Sequence, residues 1–367
     1  MTARLLSIAT ATPRHSITQA QAAEMACQLT RPNGHERAIR ALYQRAGIHQ
    51  RGSVLARHDG SMSLYEPTPH PAPQPTGAPT TAQRLQNYTA QALELAHQAC
   101  AQALQRADTT PREITHLITV SCTGFEAPGV DCALIDALSI PATVRRTHIG
   151  FMGCHGAINA LAAAKAYAEA DPGARVLVCC VELCTLHFQY EGDQGASVAN
   201  ALFADGAAAA LIAATANNHA PAGTPAIRGV ESIVLPNTRD AMTWRIGDHG
   251  FVMSLSSRVP DLLAAAVPSW LDSWLPRYRL TVPDIRSWAL HPGGPRILHT
   301  LADALQLGDN TLAPSRTILA QHGNMSSATV LFIAEQILRK PQPLPLIAMA
   351  FGPGLTGEAI LLTKQNQ

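Results

Sequence analysis

Three residues of this 367-residue chain could together run acyl-transfer chemistry: Cys154, His291 and Asn324. Cys154 sits in His148-Ile149-Gly150-Phe151-Met152-Gly153-Cys154-His155-Gly156-Ala157, a thiol bracketed by glycines. The run Ala157 to Ala166 that follows has strong helix propensity and almost no charge, which predicts a buried helix. A thiol at the head of that helix faces unpaired backbone N–H groups and the positive end of the macrodipole, and both favour thiolate. The glycines at 150, 153 and 156 leave room for a substrate beside the sulfur. His291 ends the strand-like Ser287-Trp288-Ala289-Leu290-His291 just before Pro292-Gly293-Gly294-Pro295, at the C-terminal edge where α/β sheets bind ligands. Asn324 follows Gly323 and opens the helical run Met325 to Leu338. A histidine can hold a thiolate as an ion pair, and imidazole and amide can both donate to an oxyanion. The amide stays uncharged throughout, so it can stabilise an enolate without competing for the proton. Taken singly, the three read as a core cysteine, a turn histidine and a helix cap; the other histidines near them, His155 and His322, read as packing residues.

An internal duplication is what would bring the three together. Gly153-Cys154 and Gly323-Asn324 each open a helix, and the next strands, from Val176 and Leu346, begin at the same interval. Before each helix a strand ends in a polar loop, at Cys122 and at His291, at nearly equal spacing. After each comes another strand, Ala207 to Ala213 and Glu358 to Thr363. A repeated β-α-β-β unit predicts packed layers of sheet and helix, with residues 1–222 and 223–367 as the two halves. Further elements are expected at Leu5 to Thr10 (strand), Thr18 to Cys27 (helix, capped by Thr18), His35 to Ala46 (basic helix) and Thr81 to Arg106 (helix). Strands follow at Ile114 to Cys122 and Arg175 to Glu182, and Asp205-Gly206 reads as a turn. Residues 66–82, with six prolines, read as a loop.

Composition narrows the function classes. A net charge of +1 offers no field for nucleic acid or a membrane surface, and no segment is apolar over the length of a span. The eight cysteines form no C-x-x-C pair, so neither zinc nor disulfides are indicated and a cytoplasmic, reduced protein is expected. Charged residues make up only 14%, few enough that part of the surface is expected to be a subunit interface.

Five segments together carry a family resemblance: Gly153-Cys154; Ala201-Leu202-Phe203-Ala204-Asp205-Gly206-Ala207-Ala208-Ala209; Leu290-His291-Pro292-Gly293-Gly294-Pro295; His322-Gly323-Asn324-Met325-Ser326-Ser327-Ala328; and Ala350-Phe351-Gly352-Pro353-Gly354-Leu355-Thr356. In order and spacing they resemble type III polyketide synthases, the chalcone synthase superfamily, over nearly the whole chain. The resemblance implies an α/β thiolase fold, two αβαβα halves in five layers, and a homodimer. It also implies a Cys-His-Asn triad using acyl-CoA and malonyl-CoA, with no cofactor and no metal. Cys154 would carry the acyl chain, while His291 and Asn324 would drive malonyl-CoA decarboxylation. Phe203 would gate the CoA tunnel, and Gly352-Pro353-Gly354 would form the cyclisation-pocket loop.

The same resemblance extends to the pocket and the tunnel mouth. Arg45 matches the cation at the mouth of the pantetheine tunnel, with Arg40 and Arg37 as looser matches on the same helix and Ala41 where plant members are usually basic. Thr123, Ala127 and Cys184 match positions that line a fatty-acyl tunnel in members forming long-chain alkylpyrones. Trp244 stands where plant enzymes keep a glycine and His187 where they keep a threonine, a pair expected to shrink the ordinary cyclisation cavity. Phe251, Met253 and the small Ser326 are also expected among the substrate residues. Each methylene buried is worth roughly 0.8 kcal/mol, so a long acyl chain suits an apolar side tunnel. The expected product is an alkylpyrone or alkylresorcinol. The alternatives are a short-starter enzyme making a malonyl-derived aromatic and, on the same fold, a ketoacyl-acyl carrier protein synthase III, whose sequence differs after the histidine and in the glycine loop. A non-enzymatic thiolase-fold partner protein is disfavoured by the intact triad.

Overall fold

In the computed structural model, residues 1–29, 36–65, 78–190, 194–215 and 223–364 are described. The chain runs β1 (Thr2–Ala11), β2 (Ser16–Thr18), α1 (Gln19–Leu29), α2 (Glu36–Arg45), β3 (Gln50–Gly52), α3 (Thr81–Arg106), β4 (His116–Ser121), α4 (Val130–Leu138) and β5 (Arg145–Gly150). It continues α5 (Gly156–Ala170), β6 (Arg175–Leu183), α6 (Gln194–Leu202), β7 (Asp205–Thr215), β8 (Ala226–Val234), β9 (Met242–Gly247) and β10 (Gly250–Leu255). Last come α7 (Val259–Trp274), β11 (Ser287–Leu290), α8 (Pro295–Ala304), α9 (Ala313–His322), α10 (Thr329–Leu338), β12 (Leu346–Gly352) and β13 (Thr356–Thr363).

Nine strands hydrogen-bond in the order β11-β12-β13-β8-β1-β7-β6-β4-β5. The two half-sheets meet at a single register pair, Arg4 with Ala226. On one side β4 lies parallel to β5 and β6, and β7 returns antiparallel; on the other β11 lies parallel to β12, and β13 returns antiparallel. The duplication read from intervals is therefore a repeat of strand order. Three apolar clusters fill the spaces between layers. One holds residues of the first half only, around α3 and α4; another holds residues of the second half only, around α7 and α8. The middle cluster draws α5 and α10 together with strands of both halves, giving helix, sheet, helix, sheet, helix. Alanine is what lets the middle layer close: Ala157, Ala160, Ala164 and Ala168 of α5 share one buried cluster with Ala208, Ala210 and Ile212 of β7. Small side chains bring backbones close, and a Leu→Ala change among the larger residues there would cost about 2–5 kcal/mol.

Several elements differ from the sequence reading. Asp205-Gly206 begins β7 instead of forming a turn. The buried Asp205 carboxylate accepts the Val54 and Thr185 N–H groups and the Thr185 hydroxyl, so a polar residue can start a buried strand fully satisfied. Cys154 lies in a 3-10 turn, Gly153–His155, that leads into α5, and Ser326–Ala328 forms the matching turn ahead of α10. Periodicity does not resolve β2, β3, α4, β5, α6, β8, the β9–β10 hairpin, α7, α8 or α9. Most of the proline-rich loop, His35 and the boundary at 222 lie outside the described residues.

Candidate active site

The turn that presents Cys154 depends on two left-handed residues. β5 ends at Gly150, and Phe151 (φ 56°) and Gly153 (φ 78°) swing the chain into the 3-10 turn. A Cβ on Gly153 would stand 2.4 Å from Cδ of Pro353, so only glycine fits both the angle and the space. The Gly153 N–H donates to Cys122 Sγ at 3.0 Å, which ties the turn to the end of β4. Cys154 itself is 8% exposed. Burial pushes its thiol up to about 12, against the pull of hydrogen bonds from the Ser326 and Asn324 side chains. The helix start and its donors thus act in the expected direction, but removal from water is the larger effect and the resting group is a thiol.

Asn324 reaches the same point from the second half. α9 ends at His322, and Gly323 (φ 73°) places Asn324 beside Phe203 in a two-bond bridge: Asn324 N–H to Leu202 carbonyl and Ala204 N–H to Asn324 carbonyl, each 2.9 Å. Its Oδ1 accepts the Ser326 N–H at 2.8 Å, which orients the amide with Nδ2 left for the sulfur. His291 continues the β11 ladder by donating its N–H to the Met349 carbonyl at 2.8 Å. Its ring is buried, neither nitrogen has a protein partner, and burial first, then the neighbouring His155, pushes it down to about 3. His155 is occupied, with Nδ1 on Asn159 Oδ1 at 2.6 Å and Nε2 on Thr356 Oγ1 at 2.7 Å, and so serves packing. Cys154, His291 and Asn324 line one cavity of about 30 Å³, with Phe203, Met253 and Phe351 among its apolar walls. Each shift is the cost of charging one buried group alone. A proton passed from the thiol to the unpartnered imidazole charges the two as a pair, which offsets part of that cost. The amide lines the same chamber, where an oxyanion would form.

Comparison with known proteins identifies this site's family. The chalcone and stilbene synthase N-terminal domain matches residues 1–216, and the C-terminal domain matches residues 227–365. The chain belongs to the chalcone and stilbene synthase family. It is a type III polyketide synthase, a condensing transferase. It is 31% identical to the alpha-pyrone synthesis polyketide synthase-like Pks18 of Mycobacterium tuberculosis, over 96% of this chain and 89% of that one. It is 32% identical to 1,3,6,8-tetrahydroxynaphthalene synthase of Streptomyces peucetius, over 97% and 92%. Among solved structures, PKS-I of the brown alga Ectocarpus siliculosus superposes with a TM-score of 0.90 at 30% identity, over 99% and 98%.

Behind the triad chamber of the synthase lies a second cavity of about 30 Å³, lined by Cys184, His187, Trp244 and Phe251 with Met25 and Met62. Ala199, Phe203 and Met253 belong to both cavities and form the partition. The aromatic wall is held by hydrogen bonds. His187 Nε2–H donates to the Thr123 carbonyl at 2.6 Å and Nδ1 accepts the Phe251 N–H at 3.0 Å, while its ring stacks on Phe251 at 4.1 Å. Burial pushes His187 down to about 3, so it is a neutral brace. Trp244 Nε1–H donates to the Cys122 carbonyl at 2.7 Å and meets Phe203 edge-on at 6.0 Å. Gly352 abuts His155, whose Cδ2 would be 2.5 Å from an added Cβ, and Pro353 abuts Gly153; Gly354 turns the loop at φ 116°.

Three expectations change. Thr123, Ala127 and Cys184 do not share one tunnel: Ala127 is exposed and lines a separate cavity of about 540 Å³ with Thr89, Phe125 and Arg146. The Thr123 hydroxyl turns away from both chambers to donate to Glu182 Oε2 at 2.7 Å. At the mouth, Arg45 lines a cavity of about 290 Å³ that shares Leu202, Leu255, Gly293 and Ile297 with the triad chamber. Arg40 instead pairs with Glu24 at 2.6 Å, and Arg37 lies exposed on α2. The second cation at the mouth is Arg296, which the sequence reading missed although it directly follows Gly293-Gly294-Pro295; it reaches the exposed Asp261 at 3.3 Å while lining the cavity. Glu182 was missed as well. Fully buried in β6, it accepts the Cys122 N–H at 2.9 Å and the Ser327 hydroxyl at 2.5 Å, and burial pushes it up to about 7.

Proposed function

We propose that this synthase condenses an acyl-CoA starter, medium to long in chain, with malonyl-CoA by repeated decarboxylative Claisen steps and closes the product to an alkylpyrone or alkylresorcinol. The observation that carries the condensation chemistry is the shared chamber, in which an orienting amide and an unpartnered imidazole face one buried thiol. In this reading Cys154 gives its proton to His291, attacks the starter thioester and expels CoA as thiol. Malonyl-CoA then loses CO₂, and its enolate oxygen is held by His291 and Asn324. The enolate carbon attacks the Cys154 thioester and releases the lengthened chain on CoA. Arg45 and Arg296 suit the phosphates of CoA at the mouth.

The apolar second chamber with its methionine walls supports an acyl chain, since Met25, Met62 and Met253 are unbranched and repack readily. A short-starter reading, with an aromatic product built from malonyl units, is favoured by one observation: each chamber has room for about one water, so a chain passes only when Phe203 or Met253 moves. Incubation with malonyl-CoA and acyl-CoAs of graded length, with products read by mass, separates the two. Turnover rising with starter length supports the long-chain reading, and products from malonyl-CoA alone overturn it. A Cys154→Gln variant that releases no CO₂ from malonyl-CoA would remove the roles given to His291 and Asn324.

A further inference from the structure

An α-helix leaves its last four carbonyls without helical partners, and at the end of α6 each is filled in a way that bears on Asn324. The Ala199 carbonyl accepts the Phe203 N–H at 2.9 Å, and the Ala201 carbonyl accepts Gln19 Nε2 at 2.9 Å. The Asn200 carbonyl accepts Arg51 Nη1 at 2.7 Å and the Tyr43 hydroxyl at 3.2 Å. The Leu202 carbonyl accepts the Asn324 N–H itself at 2.9 Å. Arg51 reaches one step further, because Nη1 also donates to the Phe203 carbonyl at 2.8 Å.

Arg51 comes from β3 and is only 4% exposed. Among the described residues no carboxylate forms an ion pair with it. Its charge is met by the carbonyl end of α6, where a cation is favoured, and by the Tyr43 ring at 5.6 Å. Its stem packs on the other side of the strap: a Cβ on Gly323 would be 3.1 Å from Arg51 Cγ. The side chain thus grips the 202–204 strap through its carbonyls and Gly323 through its methylenes. Asn324 is the next residue on one side and the bridge partner of Phe203 on the other.

We propose that Arg51 is a positioning residue for Asn324, holding the amide over the Cys154 sulfur by fixing the main chain on which both Asn324 and Phe203 hang. The effect on turnover rests on the malonyl-CoA reading, which gives the enolate to Asn324; the effect on geometry does not. The test compares Arg51→Met with Arg51→Lys, and with Tyr43→Phe, which removes the 3.2 Å bond to the same carbonyl and the hydroxyl's own contact with Arg51. Three quantities are read: CO₂ release from malonyl-CoA, acylation of Cys154 by an acyl-CoA followed by intact mass, and the pH midpoint of Cys154 alkylation by iodoacetamide.

For Arg51→Met, kcat for CO₂ release should fall at least about tenfold with KM little changed, because a displacement near 1 Å at a reacting group costs on the order of 100-fold. Acylation, in which the amide is only one donor beside His291, should fall less than CO₂ release. The alkylation midpoint should rise, since the Asn324 bond that pulls the thiol down is loosened. Arg51→Lys should recover most of both effects. Parallel loss of acylation and CO₂ release with an unmoved alkylation midpoint would mean a purely structural role and overturn the proposal, as would an Arg51→Met enzyme indistinguishable from wild type. Should Arg51→Met not fold, the same split is read from Arg51→Gln, a shorter and uncharged donor, with the same outcomes supporting or overturning the proposal. If the wild-type enzyme releases no CO₂ from malonyl-CoA, the substrate reading fails, and the alkylation midpoint alone then decides the positioning role.

Discussion

Replacing Gly153 with alanine tests whether the turn beneath the nucleophile is held by sterics. Two costs are built into the position. At φ 78° a residue with a Cβ loses about 1–2 kcal/mol relative to glycine. The new Cβ would also lie 2.4 Å from Pro353 Cδ, where carbon atoms normally approach to roughly 3.5–4.0 Å. Backbone on one side and a rigid ring on the other leave no flexible atom to yield, so overpacking adds about 1–3 kcal/mol. The total of roughly 2–5 kcal/mol should lower the midpoint of thermal unfolding by several degrees. Condensation should suffer more than stability, because relief of the clash moves either Cys154 or the Gly352-Pro353 loop, and a shift near 1 Å costs on the order of 100-fold in rate. The decisive comparison is the double variant Gly153→Ala with Pro353→Ala. Removing Cδ relieves the contact and leaves the backbone angle, so about 1–3 kcal/mol should return as coupling between the two sites. Thermal unfolding and single-turnover acylation of Cys154 would be measured on wild type, both single variants and the double. A Gly153→Ala protein of wild-type stability and rate, or a double variant no better than Gly153→Ala, would refute the reasoning.

Other consequences concern charge. Glu182, pushed up to about 7 by burial, should make the fold less stable as pH rises. Below its ordinary value near 4.5 both folded and unfolded chains hold the proton, whereas between there and about 7 only the folded chain does, so unfolding releases a proton. Wild type should therefore lose about 3 kcal/mol relative to Glu182→Gln across that window and nothing further above it; denaturant unfolding at pH 5 and pH 8 checks this, and equal pH dependence in the two proteins would contradict it. At the mouth, Arg45→Ala and Arg296→Ala should each raise KM for CoA thioesters severalfold with kcat nearly unchanged, the pattern of lost uniform binding. Arg40→Ala should change neither constant, since that guanidinium pairs with Glu24 and lines no part of the mouth cavity.

That Cys154, His291 and Asn324 come together was legible because backbone punctuation marks two of them. Gly153 and Gly323 sit where left-handed angles and close contacts require glycine, and such positions stand out in a chain even before its fold is known. The long helix from Thr81 to Arg106 was legible because a 26-residue run with a Thr80-Gln83 capping box leaves little else to form. The pocket was legible only through the family resemblance and not from local pattern, because its wall is assembled from remote pieces. Trp244 rests on a carbonyl 122 positions away in sequence and His187 on main-chain groups 64 away in each direction, and no local pattern records such partners. Glu182 reads locally as a blemish in a buried strand, since the Ser327 hydroxyl that satisfies it is 145 positions distant. Ala127 was assigned to a tunnel by position, and position does not say which way a loop faces.

The duplication itself shows how matched intervals can hide unlike routes. β4, α5, β6 and β7 correspond in sheet order to β11, α10, β12 and β13. Yet β5, which delivers Cys154, has no strand counterpart in the second half among the described residues. There α9 fills the interval and delivers Asn324 through Gly323. A strand lends its residue the stiffness of a sheet ladder, as β5 does beside β4. A helix end leaves its last residues to find partners elsewhere, and Asn324 finds them on α6 and Phe203. Cys154 therefore takes its backbone hydrogen bond from its own half, through Gly153 on Cys122, and its steric support from Pro353 of the other. The amide is anchored across halves, through an arginine that the first half contributes, so the geometry of the second half's catalytic group depends on packing in the first.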